Sequence, residues 1–200
     1  MIGITGGIAS GKSVVSERLR HLGAVVLDAD VFSREAVEPH TPGWRRVKDA
    51  FPEVIRDDFT IDRRMLGRIV FADAAKRKVL EGIIHPEVLQ MLRTGAEAAK
   101  RQGKRVFAEI PLLYEVGWDD LMEQVWVVYV NPEVQLDRLM KRAGLSQKEA
   151  QRMVASQWPL ERKAELATKV IDNNGSLAET WQQGDALWKE LEHDSSINCT

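Results

Sequence analysis

The chain has 200 residues, of which 44% are hydrophobic and 29% charged, proportions typical of one soluble globular domain. Its 28 Lys and Arg residues are nearly balanced by 30 Asp and Glu residues, which gives a net charge of -2 and a pI near 6.1. This balance, without any basic block, argues against nucleic acid as a partner.

Cysteine and histidine usage narrows the possible sites further. Cys199 is the only cysteine, and the four histidines are scattered along the chain, so neither a disulfide framework nor a zinc cluster is expected. The sequence begins directly with a predicted strand, which leaves no room for a signal peptide, and no apolar run approaches the length of a membrane span. We therefore expect a cytoplasmic protein with no membrane partner.

The first predicted strand, Ile2 to Thr5, leads into the pattern G-x-x-x-x-G-K-S, which begins at Gly6. In such a loop, backbone N–H groups surround the phosphates of a nucleoside triphosphate, the lysine reaches the β and γ oxygens, and the hydroxyl residue ligates Mg²⁺. A helix should follow, because Val15, Leu19 and Leu22 recur at helical spacing. The residues predicted to hold the phosphates are Gly7, Ile8, Ala9, Ser10, Gly11, Lys12, Ser13 and Val14. The alternative is a glycine turn that only joins a strand to a helix.

Four further apolar runs are predicted to be strands: Ala24 to Leu27, Val106 to Ile110, Val125 to Val130 and Val170 to Ile171. Helical patterns separate them. Apolar strands that alternate with helices are typical of a parallel sheet covered on both faces. The predicted fold class is therefore α/β, of the P-loop type.

The segment between the second and third strands is too long for a plain crossover and favours an inserted helical subdomain. Three amphipathic patterns lie in it, at Arg64 to Phe71, Lys76 to Ile84 and Pro86 to Ala99. At the other end of the chain, the polar stretch from Glu192 to Thr200 is predicted to be a frayed tail.

Two helices are predicted between the fourth and fifth strands. The first begins at Asn131 and Pro132, and its buried stripe is expected to be Leu136, Leu139, Met140 and Ala143. Arg138 and Arg142 lie on its other face, where they are either a solvated surface or phosphate-binding cations. Ser146 and Glu149 form a capping box that opens the second helix, whose inward residues are expected to be Ala150, Met153 and Val154.

Carboxylates stand at two predicted strand ends, which is the edge where ligands bind to open α/β sheets. Asp28 and Asp30 follow the second strand, and Glu109 lies near the end of the third. Asp30 is the candidate base for an acceptor hydroxyl, while Glu109 is the candidate for a metal-associated carboxylate. The alternatives are a helix N-cap with a first-turn acid for the pair, and an ordinary strand-end acid for Glu109.

Several motifs together resemble bacterial dephospho-coenzyme A kinase, with the match extending from Met1 to about Leu191. The motifs are Thr5-Gly6-Gly7-Ile8 with Ser10-Gly11-Lys12-Ser13, Asp28-Ala29-Asp30, Arg64 to Phe71, Ile84-His85-Pro86, Ile110 to Glu115, Gln157 and Ile171-Asp172-Asn173. Two positions depart from the common pattern: Ala9 stands where many members have Gly, and Glu109 where the family more often has Asp.

This resemblance implies a three-part kinase. The parts are a nucleotide-binding core (about 1–29, 104–136 and 168–191), a helical CoA-binding insertion (about 30–103) and a lid (about 137–167). The implied catalytic residues are Asp30 as the base, with Lys12, Arg138 and Arg142 as cations. Ser13 and Glu109 would serve Mg²⁺, and Asn173 would lie near the adenine of ATP. The acceptor side would comprise Asp30, Arg34, His85, Leu112, Leu113, Tyr114 and Glu115.

The expected reaction is transfer of the γ-phosphoryl group of ATP to the 3′-hydroxyl of dephospho-coenzyme A by a monomer or small homo-oligomer. One alternative is a P-loop kinase for another small acceptor, such as a nucleoside or nucleotide. Another is a nucleotide-dependent switch that binds a protein partner. Thr168-Lys169-Val170-Ile171-Asp172 differs from the guanine-reading Thr-Lys-x-Asp motif because its acid is one position late, which argues against GTP.

Overall fold

The computed structural model describes the backbone of residues 1–197 and the side chains of residues 1–193. The chain divides into two compact units: Met1–Leu27 with the described chain from Ala99 onward, and Asp28–Ala98. None of the helices within residues 1–197 has the length and apolar character needed to cross a membrane. Cys199 lies outside the described residues.

Five strands form one sheet: β1 (Ile2–Gly6), β2 (Val25–Asp28), β3 (Val106–Glu109), β4 (Gln124–Tyr129) and β5 (Lys169–Asp172). Their order is β2-β3-β1-β4-β5, so the first strand of the chain lies at the centre. β1 pairs in parallel with β3 and β4, and β4 pairs in parallel with β5. All five predicted strands are confirmed, with each end within one residue of its predicted position.

The helices are α1 (Lys12–His21), α2 (Ala29–Glu35), α3 (Pro42–Ala50), α4 (Arg63–Ala72), α5 (Ala74–Arg101), α6 (Pro132–Ala143), α7 (Gln147–Ala155), α8 (Leu160–Leu166) and α9 (Leu177–Ile197). Short 3₁₀ turns occur at Pro52–Val54 and Asp119–Leu121. Because α9 continues to Ile197, the predicted frayed tail is wrong over Glu192 to Ile197.

The separate helical patterns predicted at Lys76 to Ile84 and Pro86 to Ala99 belong to one helix, because α5 runs through Pro86 without interruption. A proline inside a helix removes one backbone hydrogen bond and costs about 3 kcal/mol. Ile83, Val88 and Leu92 are buried on either side of it, and burying each such side chain contributes about 1.5–3 kcal/mol. Burial of this helix face therefore outweighs the local cost of the proline.

The core of the first unit fills the space between the sheet and the helices that flank it. Ile4 of β1, Phe107 of β3 and Trp126 of β4 are fully buried on three neighbouring strands. The Phe107 and Trp126 rings meet edge to face with centroids 5.1 Å apart, and Trp188 of α9 packs against this cluster. This cluster therefore packs one face of the central strands, from which the phosphate loop departs.

The second unit has a separate apolar core. It contains Trp44 and Val47 of α3, with Phe51, Leu66 and Ile83 from the following segments. The indole N–H of Trp44 is satisfied by a 2.7 Å hydrogen bond to the Phe59 carbonyl. This unit thus builds its own core from helices and one isolated antiparallel bridge, Ile55 to Ile61.

The N-cap positions of α6 and α7 are confirmed, although Asn131 makes no side-chain capping bond, and the inward faces of both helices differ from prediction. Pro132 begins α6, and Ser146 with Glu149 forms the capping box of α7. Leu139 and Ala150 are buried as predicted, whereas Ala143 and Met153 are exposed. In α6 the inward face instead includes a polar residue, Gln135, which is 4% exposed.

Candidate active site

The loop between β1 and α1 has the geometry of an anion-binding cradle. Gly11 has φ 91 and begins α1, and no side chain caps this helix start. The N–H groups of a first helical turn lack intrahelical partners and attract anions. The backbone at this point is therefore suited to phosphate oxygens.

Close packing explains why the loop needs its glycines. A Cβ on Gly6 would lie 2.7 Å from the Val128 carbonyl oxygen of β4, and a Cβ on Gly11 would collide with the side-chain amide of Asn173. Gly11 also has the left-handed backbone conformation that glycine adopts without strain. A simple connecting turn would need neither close approach, so the geometry favours the phosphate-binding interpretation.

The side chain of Lys12 lies inside this loop. Its Nζ donates a 3.1 Å hydrogen bond to the Gly7 carbonyl, which places the ammonium group among the backbone amides of the cradle. The Ser13 side chain is exposed at the first turn of α1. Glu109 is half-buried near the carboxyl end of β3, in register with Ile4 of β1.

Asn173 follows β5 and braces the loop. Its amide nitrogen donates to the Ser10 carbonyl at 2.8 Å, and its Oδ1 accepts a 2.7 Å hydrogen bond from the Thr180 hydroxyl. Arg138 of α6 donates to the Asn173 carbonyl at 2.9 Å. Asn173 is thus a buried structural link between the phosphate loop, α6 and α9.

A cavity of about 570 Å³ lies beside these residues, within the usual size range of small-molecule sites. It brings together several of the predicted nucleotide residues with three cations of α6. Its lining comprises Ala9, Gly11, Val14, Arg138, Lys141, Arg142, Asn173, Gly175 and Leu177. The cations and the open start of α1 make this cavity suited to an anionic ligand with an apolar base.

The segment after β3 is fixed by a buried ion pair. Lys163 of α8 has a fully buried side chain whose Nζ lies 2.7 Å from Glu115 Oε1 and 3.1 Å from the Pro111 carbonyl. That carbonyl also accepts the Thr5 hydroxyl of β1 at 3.1 Å. The predicted acceptor residue Glu115 is therefore tied to the protein through one of its oxygens.

The other predicted acceptor residues of this segment differ in exposure. Leu113 is fully buried under β1, whereas Leu112 is 41% exposed. Tyr114 is buried and stacks on Trp158 with ring centroids 6.3 Å apart. Burial raises the pKa of Tyr114 to about 12, so its hydroxyl stays protonated in any physiological buffer. Leu112 is thus the most accessible of these three side chains.

The remaining predicted acceptor residues belong to the second unit. Asp28 caps α2 by accepting hydrogen bonds from the N–H groups of Asp30 and Val31 at 2.8 and 3.1 Å, so the N-cap interpretation of Asp28 is confirmed. Asp30 and Arg34 are exposed on α2. His85 is half-buried on α5, and burial lowers its pKa, which favours the neutral imidazole at neutral pH.

The family model for dephospho-CoA kinase matches residues 1–179 of this chain. The chain belongs to the dephospho-CoA kinase family. Among its relatives, dephospho-CoA kinase from Geobacter metallireducens is 47% identical over 192 residues, which cover 95% of this chain and 96% of that protein.

Two solved structures show the same fold over nearly their whole length. Dephospho-CoA kinase from Campylobacter jejuni matches with a TM-score of 0.74 and 28% identity, covering 97% of this chain and 98% of that one. The protein TT1252 from Thermus thermophilus matches with a TM-score of 0.83 and 39% identity, covering 95% and 96%. The prediction of a P-loop kinase of this family is therefore confirmed.

Sequence reasoning missed three buried polar residues of the site: Gln135, Lys163 and Thr180. One signal was available for Gln135, which stands one helical turn before Leu139 and so belongs to the inward face of α6. Lys163 and Thr180 give no comparable signal, because neither the pairing of Lys163 with Glu115 nor the bond from Thr180 to Asn173 follows from residue spacing. Within residues 1–193, no group of three or more metal-binding side chains is found.

Proposed function

We propose that this chain transfers the γ-phosphoryl group of ATP to the 3′-hydroxyl of dephospho-coenzyme A, the last step of coenzyme A synthesis. The observation that carries the proposal is a phosphate loop with Lys12 inside it, in a member of the dephospho-CoA kinase family. The relatives named dephospho-CoA kinase support the identity of the acceptor.

The donor side relies on positioning and charge. Phosphoryl transfer spreads negative charge over the migrating group, so cations and fixed amide dipoles stabilise its transition state. Lys12 would hold the β and γ oxygens, and Arg138 and Arg142, which line the adjoining cavity, would neutralise charge on the nucleotide. Asn173, which lines the same cavity, would lie near the adenine of ATP.

Ser13 and Glu109 offer a hydroxyl and a carboxylate, which are oxygen ligands of the kind that Mg²⁺ prefers. When bound, Mg²⁺ would neutralise charge on the β and γ phosphate oxygens. The exposure of Ser13 at the helix start supports its part in this. The glutamate at position 109 is long enough to act through an intervening water.

On the acceptor side, Asp30 would accept the proton of the ribose 3′-hydroxyl. Its carboxylate is exposed, while its neighbour Asp28 is committed to capping α2. Arg34, His85 and Leu112 would contact the acceptor, and Leu113, Tyr114 and Glu115 would shape its site from behind. We further propose that residues 137–167 close over ATP, which excludes water and limits idle hydrolysis.

The decisive experiment measures ADP release with dephospho-coenzyme A and, in parallel, with nucleosides and nucleotides. We expect release that depends on dephospho-coenzyme A and requires Mg²⁺, with a product heavier by one phosphoryl group in mass spectrometry. Turnover with a nucleoside alone would indicate a kinase for another acceptor. Nucleotide binding without acceptor-dependent turnover would indicate a switch protein.

A further inference from the structure

Two glutamines hold the phosphate loop at a single residue, Ile8. The Ile8 N–H donates a 2.7 Å hydrogen bond to Gln157 Oε1, and the Ile8 carbonyl accepts a 2.8 Å hydrogen bond from Gln135 Nε2. A backbone N–H can only donate and a carbonyl can only accept, which fixes the orientation of both side-chain amides. Gln157 therefore serves as an acceptor and Gln135 as a donor.

These bonds determine the direction of two successive peptide units. In a trans peptide, the carbonyl of one residue and the N–H of the next point in opposite directions. The Gly7 carbonyl faces Lys12 Nζ at 3.1 Å, inside the loop, while the Ile8 N–H points the other way, to Gln157. Because the Ile8 carbonyl faces Gln135, the Ala9 N–H of that peptide unit is turned away from Gln135.

The next residue explains why such support is needed. Ala9 has φ 59, a left-handed conformation that is unfavourable for any residue with a Cβ. Gln135 also packs so closely on the loop that a Cβ on Gly7 would collide with its amide nitrogen. The backbone preferences of Ala9 therefore do not by themselves favour the observed loop conformation, and contacts with Gln135 help to stabilise it.

Both glutamines are themselves fixed. Gln135 is buried on α6. Gln157 lies between α7 and α8, where the neighbouring N–H of Trp158 donates to Glu115 Oε1 at 2.9 Å. The same oxygen accepts the buried Lys163 ammonium. The connector that carries Gln157 is thus anchored to the segment after β3.

We propose that Gln135 and Gln157 are positioning residues that set the phosphate-binding shape of the loop through the backbone of Ile8. Neither needs to touch ATP. Their effect is on nucleotide affinity, because they hold the Ala9 N–H and the left-handed Ala9 backbone in place. The link between these glutamines and ATP-dependent phosphoryl transfer rests on the proposed function. The test of their positioning role requires only a measurement of nucleotide binding.

The opposite hydrogen-bonding roles allow a matched test. Gln135→Glu and Gln157→Glu each replace an amide by a carboxylate of the same shape and add one negative charge. At position 157 the carboxylate still accepts from the Ile8 N–H, whereas at position 135 it places an acceptor against the Ile8 carbonyl. Gln157→Met removes the acceptor while keeping a similar volume, and is the neutral counterpart of Gln157→Glu.

The measurement is the Kd of ADP by calorimetry on the full chain, together with the thermal unfolding midpoint of each variant. We expect Gln135→Glu and Gln157→Met to raise Kd by about tenfold, the effect of losing one hydrogen bond to a partly buried backbone group, and Gln157→Glu to raise it by less than about threefold. The KM for dephospho-coenzyme A in active variants should change by less than about twofold, because neither glutamine is expected to touch the acceptor.

Equal losses in both Glu variants would overturn the proposal, since added charge alone would then explain them. Unchanged Kd in Gln135→Glu would overturn it as well. If Gln135→Glu does not fold, the comparison of Gln157→Met with Gln157→Glu decides, and equal Kd values there count against the proposal. Absence of dephospho-coenzyme A turnover in the wild type would refute the proposed function without affecting these ADP values.

Discussion

In the unit that carries the phosphate loop, several buried polar side chains are bonded to backbone, whereas the 28–98 unit has an apolar core, apart from the Trp44 indole N–H, and its ion pairs lie at the surface. Among the described residues, the buried Ser, Thr, Asn, Gln and Lys residues all belong to the first unit: Thr5, Ser10, Ser16, Gln135, Lys163, Asn173 and Thr180. All of them except Ser10 and Ser16 have a hydrogen-bonded side chain or lie in a hydrogen-bonded pair. In the second unit, the Arg56 to Asp62 ion pair has side chains 55% and 31% exposed.

The difference follows from what each region must do. Burying a polar group is unfavourable unless it is fully hydrogen-bonded, so hydrophobic residues at these positions would make the free energy of folding more favourable. The buried bonds of Asn173, Gln135 and Lys163 end on backbone carbonyls at Ser10, Ile8 and Pro111. They fix backbone direction, which a phosphate cradle requires and an ordinary helical core does not.

The sharpest test of this division is Lys12→Ala, which removes the cation of the cradle. We expect turnover to fall by about 10³-fold and ADP binding to weaken, because one preorganised charge is lost from the transition state. Steady-state kinetics with calorimetry of ADP would measure both. Lys104→Ala, at an exposed position in the same unit, is the control and should match the wild type. Unchanged turnover in Lys12→Ala would contradict the proposed donor site.

Asp30→Asn tests the second unit, where we expect a loss of rate without a loss of nucleotide affinity. It should lower kcat by about 10²-fold, the usual contribution of a general base, while leaving the Kd of ADP unchanged. Rapid-quench measurement of the phosphoryl-transfer step would separate chemistry from product release. Asp57→Asn, which changes an exposed carboxylate of the same unit, provides the comparison. Equal losses of rate and ADP affinity in Asp30→Asn would assign Asp30 a structural role instead.

Lys163→Met compares buried with exposed ion pairs. Removing one partner of a buried pair leaves an uncompensated carboxylate, so we expect the free energy of unfolding to fall by about 3 kcal/mol in urea titrations. Arg56→Met breaks the exposed pair with Asp62 and should cost less than about 1 kcal/mol. Similar losses of unfolding free energy in the two variants would show that the buried ion pair of the first unit contributes no more to stability than the exposed pair of the second.

The smallest expected effect concerns Asp62, the N-cap of α4. A hydrogen bond from the Met65 N–H, supported by Arg56, lowers the pKa of its carboxyl below the ordinary 3.8. A lowered pKa in the folded state contributes stability above pH 3.8 that is lost as the pH falls through the lower value. Thermal unfolding midpoints in acid should therefore decline less steeply in Asp62→Asn, which keeps a capping side chain. An unchanged slope would count against this contribution.

Local patterns predicted much of the first unit. The glycine spacing, the apolar runs and the capping box each depend on a few neighbouring residues, and the phosphate loop, the five strands and the start of α7 are where those patterns place them. The continuous helix through Pro86 could not be predicted in this way, because the burial of Ile83 and Leu92 that supports it depends on tertiary packing.

The site was predictable only in part, for the same reason. Gly11, Arg138 and Asn173 do share one cavity, but the bond from Asn173 to Ser10 joins residues 163 positions apart. Lys163 lies in a helix whose pattern does not distinguish it from a surface lysine. Such residues are found only when the fold brings distant segments together.

The central position of β1 has a consequence for how the protein is made. The first strand to leave the ribosome has neighbours that begin only at Val106 and Gln124, and its loop is braced by Asn173. Contacts so distant in sequence form late and slowly. We therefore expect the phosphate loop to be fully braced only in chains whose synthesis has passed residue 173.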